Sequence, residues 1–331
     1  MTAEHPFAQY IRILGKGRQG SRSLSQDEAR AAMQMILRGD VEPLQLGAFL
    51  TLERMKEETP EELAGFVQAV QASLPLPDPR PEVMLDWSSY AGKRRQLPWF
   101  LLSALLLAAN GVKVFMHGAD GPGERVYTPD ALRTLGLEPS KTMADAAARL
   151  NERGFAFMDL SDLCPRLDEI MRLRPLLGLR SPVHTLARMM NPFRAPVLLQ
   201  GIFHPGYRDI HQHAAAILGQ PHVAVLKGEG GEIERNPDSA CLVKRVDEGV
   251  LSEEEWPAMF PARHMKDESM AVERLAAVWR GEVGDEYGEA AVVGTAAIAL
   301  RALGRAGSIA NAEQMAAEMW KARVPARLNA A

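Results

Sequence analysis

The sequence predicts an α/β protein, with a small N-terminal helical subdomain followed by a larger domain built on a mainly parallel sheet flanked by helices. Three observations lead there. Residues 1–74 carry helix caps and helical periodicity with no strand pattern. Residues 75–81 then place a proline at every second position (Pro75, Pro77, Pro79, Pro81), too many for a helix to continue. From residue 82 to 331, short apolar runs alternate with amphipathic stretches, the signature of a parallel sheet with crossover helices.

Within the first part, Ser25 and Glu28 form a capping box ahead of the periodic run 29–37, and Gly39 supplies a stop. A second helix starts near Pro43 with Leu44, Leu46, Leu50 and Met55 on its apolar side. Thr59 caps the third, with Pro60 at its first position, Glu62 at its third, and Phe66, Val67 and Val70 facing inward. Beyond the linker, strands are expected at 83–87, 112–116, 155–159, 197–203 and 223–227. Helices are expected between them at 97–109, 129–135, 143–153 (capped by Thr142) and 207–218, and then at 269–280, 289–303 and 312–322.

Composition is that of an ordinary globular protein: 331 residues, 47% hydrophobic and 24% charged. The first ten residues include Glu4, His5 and Pro6 and lack a basic segment followed by an apolar one, so no secretory signal is expected. The run 97–109 is interrupted by Pro98 and too short to cross a bilayer, so no membrane partner is expected. Cys164 and Cys241 lie far apart and suit a reducing, cytoplasmic setting. The net charge of −4 hides an uneven distribution. Segments 5–26, 87–119 and 170–208 contain no Asp or Glu and hold fourteen of the 38 Lys and Arg, which leaves 24 basic against 42 acidic residues elsewhere. If the three segments converge, the fold presents a basic face on an acidic body.

Gly15, Gly17 and Gly20 form a G-x-G-x-x-G string. It lies between a short amphipathic segment and a capped helix, not after a strand, so it reads as an inter-helix loop. Lys16, Arg18 and Arg22 put positive charge there, suited to phosphate contacts that read no bases. Four later stretches carry chemistry. The first runs Asp86-Trp87-Ser88-Ser89-Tyr90-Ala91-Gly92-Lys93-Arg94-Arg95-Gln96, and the second is Met116-His117-Gly118-Ala119-Asp120. The third extends from Met171 through Arg172, Arg174, Arg180, His184 and Arg188 to Asn191-Pro192. Its guanidiniums suit an anion, which their planar fork binds in two places, or else form a solvated helix face. The fourth is Lys227-Gly228-Glu229-Gly230-Gly231-Glu232-Ile233-Glu234.

These stretches resemble, in order, motifs of the anthranilate phosphoribosyltransferase fold of glycosyltransferase family 3. In that family a Gly-Thr-Gly-Gly-Asp loop holds the pyrophosphate of phosphoribosyl pyrophosphate on its amides. Here only Gly92 is left, and Cβ atoms obstruct both the backbone conformation and the ligand's approach, while Lys93, Arg94 and Arg95 keep an attraction for phosphate. The family's Lys-His-Gly-Asn-Arg keeps only His117 and Gly118, and His117 serves either a ligand or the hydrogen bonding of a strand end. The arginine-rich stretch resembles the segment lining the anthranilate side. The Asp-Glu pair that holds magnesium becomes Gly231-Glu232, which leaves Glu232 as the weak metal candidate, with Glu229 and Glu234 close by.

Ser89, Tyr90, Gly92, Lys93 and Arg94, the run from His184 to Ala187, and Pro192-Phe193 also resemble a bacterial subgroup of this fold that binds DNA or RNA. The resemblance spans about residues 7–307. It implies a homodimer joined through the helical subdomain, to which helices from 165–193 add, with basic grooves that accept nucleic acid largely without sequence preference. On that reading Lys16, Arg18, Arg22, Gly92, Lys93, Arg94, Arg95, His117, Gly118, Arg172, Arg174, Arg180, His184 and Arg188 contact phosphate, no residue is catalytic, and no cofactor is needed. Trp87, Tyr90 and Trp99 serve stacking or, as the simpler use, the core. The alternative is an active pentosyltransferase that uses phosphoribosyl pyrophosphate and magnesium with an aromatic or other anionic acceptor.

Overall fold

A computed structural model of the chain describes residues 3–17, 19–121 and 123–325. Four helices open the chain: α1 (Ala8–Gly15), α2 (Gln26–Arg38), α3 (Pro43–Lys56) and α4 (Pro60–Ser73). Their ends follow from the caps. Ser25 Oγ accepts from the Glu28 N–H while the Glu28 carboxylate accepts from the Ser25 N–H at 2.8 Å, and Thr59 and Glu62 repeat the exchange at the start of α4. An edge-on row of rings, Phe7, Phe49 and Phe66, fills the space between the helices. No helix or strand occurs at 74–84, where the prolines lie.

One side chain breaks the apolar pattern of α3. Glu53 follows Leu46, Phe49 and Leu50 on the buried stripe, is fully buried, and has no hydrogen-bond partner for either oxygen among the described residues. Burial, reinforced by Glu62 and Glu58, raises its pKa from the usual 4.5 to about 9.

Seven strands form one sheet in the order β3-β2-β1-β4-β5-β6-β7. They are β1 (Leu85–Ser89), β2 (Val114–Gly118), β3 (Phe155–Asp159), β4 (Val197–Ile202), β5 (His222–Lys227), β6 (Cys241–Asp247) and β7 (Val250–Trp256). The first five run parallel, and β6 and β7 add an antiparallel hairpin at one edge. Alternation sorts the side chains between two cores. Leu85, Trp87, Val114, Met116 and Leu199 face the helices Phe100–Ala109 and Glu286–Ala302. Phe115, Ala156, Leu198 and Val225 face the N-terminal helices and the helix Tyr207–Ile217. Trp87 and Trp99 are fully buried in the first of these cores, so neither serves as a stacking surface. Segments from 165–193 pack on the N-terminal helices, with Arg166 Nε donating to the Ile36 carbonyl (3.2 Å) and Gln71 Nε2 to that of Met190 (2.8 Å).

Two differences from the sequence expectation have physical causes. Strands β1 and β2 begin and end two residues later than the apolar runs, because the polar residues Ser88, Ser89 and His117 lie inside the sheet; two of them have side-chain partners, Ser89 Oγ meeting Thr128 Oγ1 at 2.7 Å and His117 bonding to Asp86 and Tyr90. The hairpin β6–β7 was not expected. Its turn, Glu248-Gly249, has positive φ at both residues (47° and 82°), a conformation suited to a two-residue hairpin, but β7 is largely exposed and rich in glutamate, which masks the strand signal.

Glu53 sets a pH dependence of stability. Between the usual glutamate pKa of 4.5 and its folded value of about 9, the unfolded chain has released a proton that the folded chain keeps, so stability falls as pH rises through that window. Glu53→Gln is expected to stabilise the protein by on the order of 2 kcal/mol near pH 8 and by much less near pH 5. Urea titrations at the two pH values check this; an equal effect at both contradicts it.

Candidate functional site

The carboxyl ends of β1, β4 and β5 open on a cleft of about 640 Å³. It stands where the chain order reverses, since β1 has β2 on one side and β4 on the other, and such a point leaves a crevice between diverging loops. Loop residues 91–95 form one wall, the segment Arg174–Arg188 another, and Arg54 and Glu58 of the helical bundle close the cleft from above. Nine basic side chains line it against two carboxylates, those of Glu58 and Glu229. Among the described residues only one of the nine, Lys93, has an ion-pair partner. Arginines elsewhere are mostly neutralised, as in Arg12–Glu4, Arg149–Asp145, Arg235–Glu313 and Arg245–Glu254.

The unpaired cations repel one another. Burial, followed by Arg188, Arg174 and Arg125, lowers the pKa of Arg180 to about 10, so it stays charged at neutral pH but in an unfavourable field. Burial and then Arg180 hold His184 down to about 4, which keeps its imidazole neutral. Arg188 is 8% exposed, spans from the Gly201 carbonyl (Nε, 3.0 Å) to that of His184, and lies 5.9 Å from the Tyr90 ring centre. Arg125 donates to the carbonyls of Ala91 (3.0 Å) and Gly92 (3.3 Å), fixing the loop from outside.

The loop after β1 is turned inward. Both the Ala91 and Gly92 N–H groups donate to Oε1 of Glu232, at 2.6 and 2.7 Å, and that carboxylate is 1% exposed with Oε2 unpartnered among the described residues. Gly92 has φ +66°, and a Cβ there would meet the Tyr127 ring at 2.7 Å. Lys93 is buried against Glu234, Nζ to Oε1 2.5 Å, while Glu234 Oε2 accepts from the Phe100 N–H at 2.9 Å. Burial pushes the Glu234 carboxyl up against the pull of Lys93. A pair of adjacent amides that converges on one oxygen is an anion cradle. Here the anion is the protein's own.

The description "glycosyl transferase family, a/b domain" matches residues 100–322, and "glycosyl transferase family, helical bundle domain" matches residues 8–74. The chain belongs to glycosyl transferase family 3. It is 30% identical to an anthranilate phosphoribosyltransferase of Burkholderia multivorans, over 90% of this chain and 89% of that one. It is equally 30% identical to the uncharacterized protein YbiB of Escherichia coli K12, over 73% and 76% of the two chains. Among solved structures, the anthranilate phosphoribosyltransferase of Thermus thermophilus superposes with a TM-score of 0.77 at 22% identity, covering 99% of this chain and 100% of that one. The Saccharomyces cerevisiae enzyme in complex with PRPP and Mg superposes with a TM-score of 0.78 at 18% identity, over 98% and 96% of the chains. At these identities the structures share the fold.

Within this member of family 3 the residues do not suit magnesium and pyrophosphate. Oε1 of Glu232 is engaged by two amides and both oxygens of Glu234 by Lys93 and an N–H, and Gly231 offers no side chain. Among the described residues no group of three or more His, Cys, Asp or Glu is placed to hold a metal ion. The weak metal candidate Glu232 is thus a ligand of the loop.

Of the residues singled out from sequence, Arg94, Arg95, Arg174, Arg180, His184 and Arg188 share the cleft. Lys93 lines it too, but its ammonium is taken by Glu234, so it is a structural cation and not a phosphate ligand. Gly92 serves through its amide. His117 is fully buried, its ring nitrogens 2.7 Å from Tyr90 Oη and 3.2 Å from Asp86 Oδ1, and Gly118 is needed because a Cβ would lie 2.1 Å from the Ser89 carbonyl oxygen. Neither residue faces the cleft. Arg172 is neutralised by Asp168 and Asp120, Arg22 by Glu28, and exposed Lys16 stands outside the cleft lining. Arg18 falls outside the described residues. The segments 87–119 and 170–208 therefore converge, and no described residue of 5–26 lines the cleft. Arg54, Arg125 and Phe203 also line the cleft, and each is isolated among unlike neighbours in the sequence; Lys227, at the head of the fourth stretch but assigned no role there, lines it too.

Lys93→Ala is expected to cost about 3–5 kcal/mol of stability, because it leaves Glu234 buried without its cation. Arg94→Ala/Arg95→Ala is expected to change stability by less than about 0.5 kcal/mol. Denaturant midpoints of the two variants check the contrast, and equal midpoints contradict it.

Proposed function

We propose that this protein binds nucleic acid through the cleft, largely without regard to sequence, and that it has given up phosphoribosyl transfer. The observation that carries the reading is the set of eight basic side chains in one cleft that have no ion-pair partner among the described residues, beside an anion cradle already filled by Glu232. Transfer from phosphoribosyl pyrophosphate needs the transition-state charge held by preorganised amides and a metal. Scattered guanidiniums instead attract phosphates over a broad area and release counterions on binding, which gives affinity without base readout. DNA or RNA is the partner on this reading, with no cofactor, and two copies associate through the helical part.

A second reading, a transferase with phosphoribosyl pyrophosphate, magnesium and an aromatic or other anionic acceptor, is favoured by the 30% identity with the Burkholderia enzyme along 90% of the chain. A pyrophosphate-release assay with phosphoribosyl pyrophosphate, magnesium and anthranilate separates the two. No release above background is expected, and release restores the enzyme.

Combined replacement of Arg94, Arg95 and Arg180 by Ala is expected to weaken binding to unrelated oligonucleotides alike, and to lower the slope of log affinity against log salt by about 0.7–0.9 for each phosphate no longer neutralised. Anisotropy titrations over a salt series read both quantities; an unchanged slope overturns the assignment. With His184 held at about 4, its imidazole is expected to add no pH dependence to binding between about pH 6 and pH 8, so His184→Gln leaves the pH profile of affinity unchanged over that range. A profile that flattens in the variant contradicts it.

A further inference from the structure

The rim of the cleft presents an aromatic face. Phe203 and His204 follow directly on the end of β4, and both line the cleft with Ile202 and Pro205. Phe203 is 51% exposed, whereas Trp87 and Trp99 are fully buried. The two rings stand 4.9 Å apart at 85°, so His204 supports Phe203 edge-on. The root of Phe203 is anchored: a Cβ built on Gly231 would lie 3.3 Å from Phe203 Cβ and 3.4 Å from Ala91 Cβ, and Gly231 itself sits at φ +92°. Phe203 therefore stands on the glycine turn beside the Glu232-filled cradle, half exposed in a cleft that it shares with arginines without ion-pair partners among the described residues.

An exposed ring fixed at its root inside a basic cleft has the two elements of single-strand recognition, a stacking face and phosphate attraction. A duplex offers it little, because its bases are stacked on one another and only phosphates and groove edges face outward. A single strand can turn a base out, and every base has a face that stacks, so the contact tolerates any sequence. We propose that the cleft takes a single strand of DNA or RNA, with backbone phosphates on Arg94, Arg125 and Arg180 and one base stacked on Phe203. This rests on the nucleic-acid reading and adds the form of the strand and the residue that selects it.

The test measures anisotropy with labelled oligo-dT and oligo-rU of about 15 nucleotides, an abasic deoxyribose-phosphate strand and a duplex of the same length, all at one salt concentration. The unaltered protein is expected to bind oligo-dT or oligo-rU about tenfold more tightly than the abasic strand. Phe203→Ala is expected to bring that ratio to about one, and Phe203→Tyr, which keeps the ring, to preserve it; thermal melts verify that both variants fold. If the ratio is already near one in the unaltered protein, if the duplex binds as tightly as the single strands, or if the ratio survives Phe203→Ala, the stacking site is overturned while nucleic-acid binding stands. If the unaltered protein binds none of the four, the reading beneath it falls as well.

Discussion

The hydrogen bonds from Ala91 and Gly92 to the Glu232 carboxylate hold the rest of the site in place. They turn the loop after β1 inward, so that Lys93 reaches the buried Glu234 while Arg94 and Arg95 are left on the surface. They also occupy the donors an incoming pyrophosphate oxygen would need. A ligand that sought those amides would have to expel a buried carboxylate whose second oxygen already lacks a partner among the described residues. What remains is a concentration of positive charge at the switch point of the sheet, and the proposed function rests on it.

Gathering so many cations without ion-pair partners among the described residues works against the folded state, and the pKa of Arg180 is lowered accordingly, by burial first and then by Arg188, Arg174 and Arg125. The scaffold tolerates it because the guanidiniums are anchored by neutral groups: Arg188 on carbonyls of Gly201 and His184, Arg125 on those of Ala91 and Gly92, and Arg54 on the hydroxyl of Tyr207. Such partners orient a guanidinium without cancelling its charge. Arg54 comes from the helical bundle and Tyr207 from the α/β part, so the packing of the two parts sets the width of the cleft.

The fold class was legible in the sequence because caps, prolines and apolar alternation agree with the N-terminal helices and the five parallel strands, whereas the exposed, glutamate-rich hairpin β6–β7 carries no such pattern. Strand ends were less legible wherever the sheet interior is polar, as at Ser88, Ser89 and His117. The candidate site was read in half. Runs such as Arg94-Arg95 and the arginines at 174, 180 and 188 announce themselves, whereas Arg54, Arg125 and Lys227 reach the cleft from three unrelated elements. A stretch free of internal acids is no sign of unpaired charge, since Glu28 pairs with Arg22 from just beyond its segment, and Asp168 and Asp120 pair with Arg172 from outside its own. The burial of Lys93 had no local signal at all: it depends on Glu234, which is 141 residues away.

The most direct test of the account is a crystal structure of the protein with a bound oligonucleotide. Backbone phosphates are expected among Arg94, Arg125, Arg174 and Arg180, with Glu232 still accepting from the amides of Ala91 and Gly92. A strand bound elsewhere on the surface, or a phosphate seated on those two amides with Glu232 swung out, would contradict it.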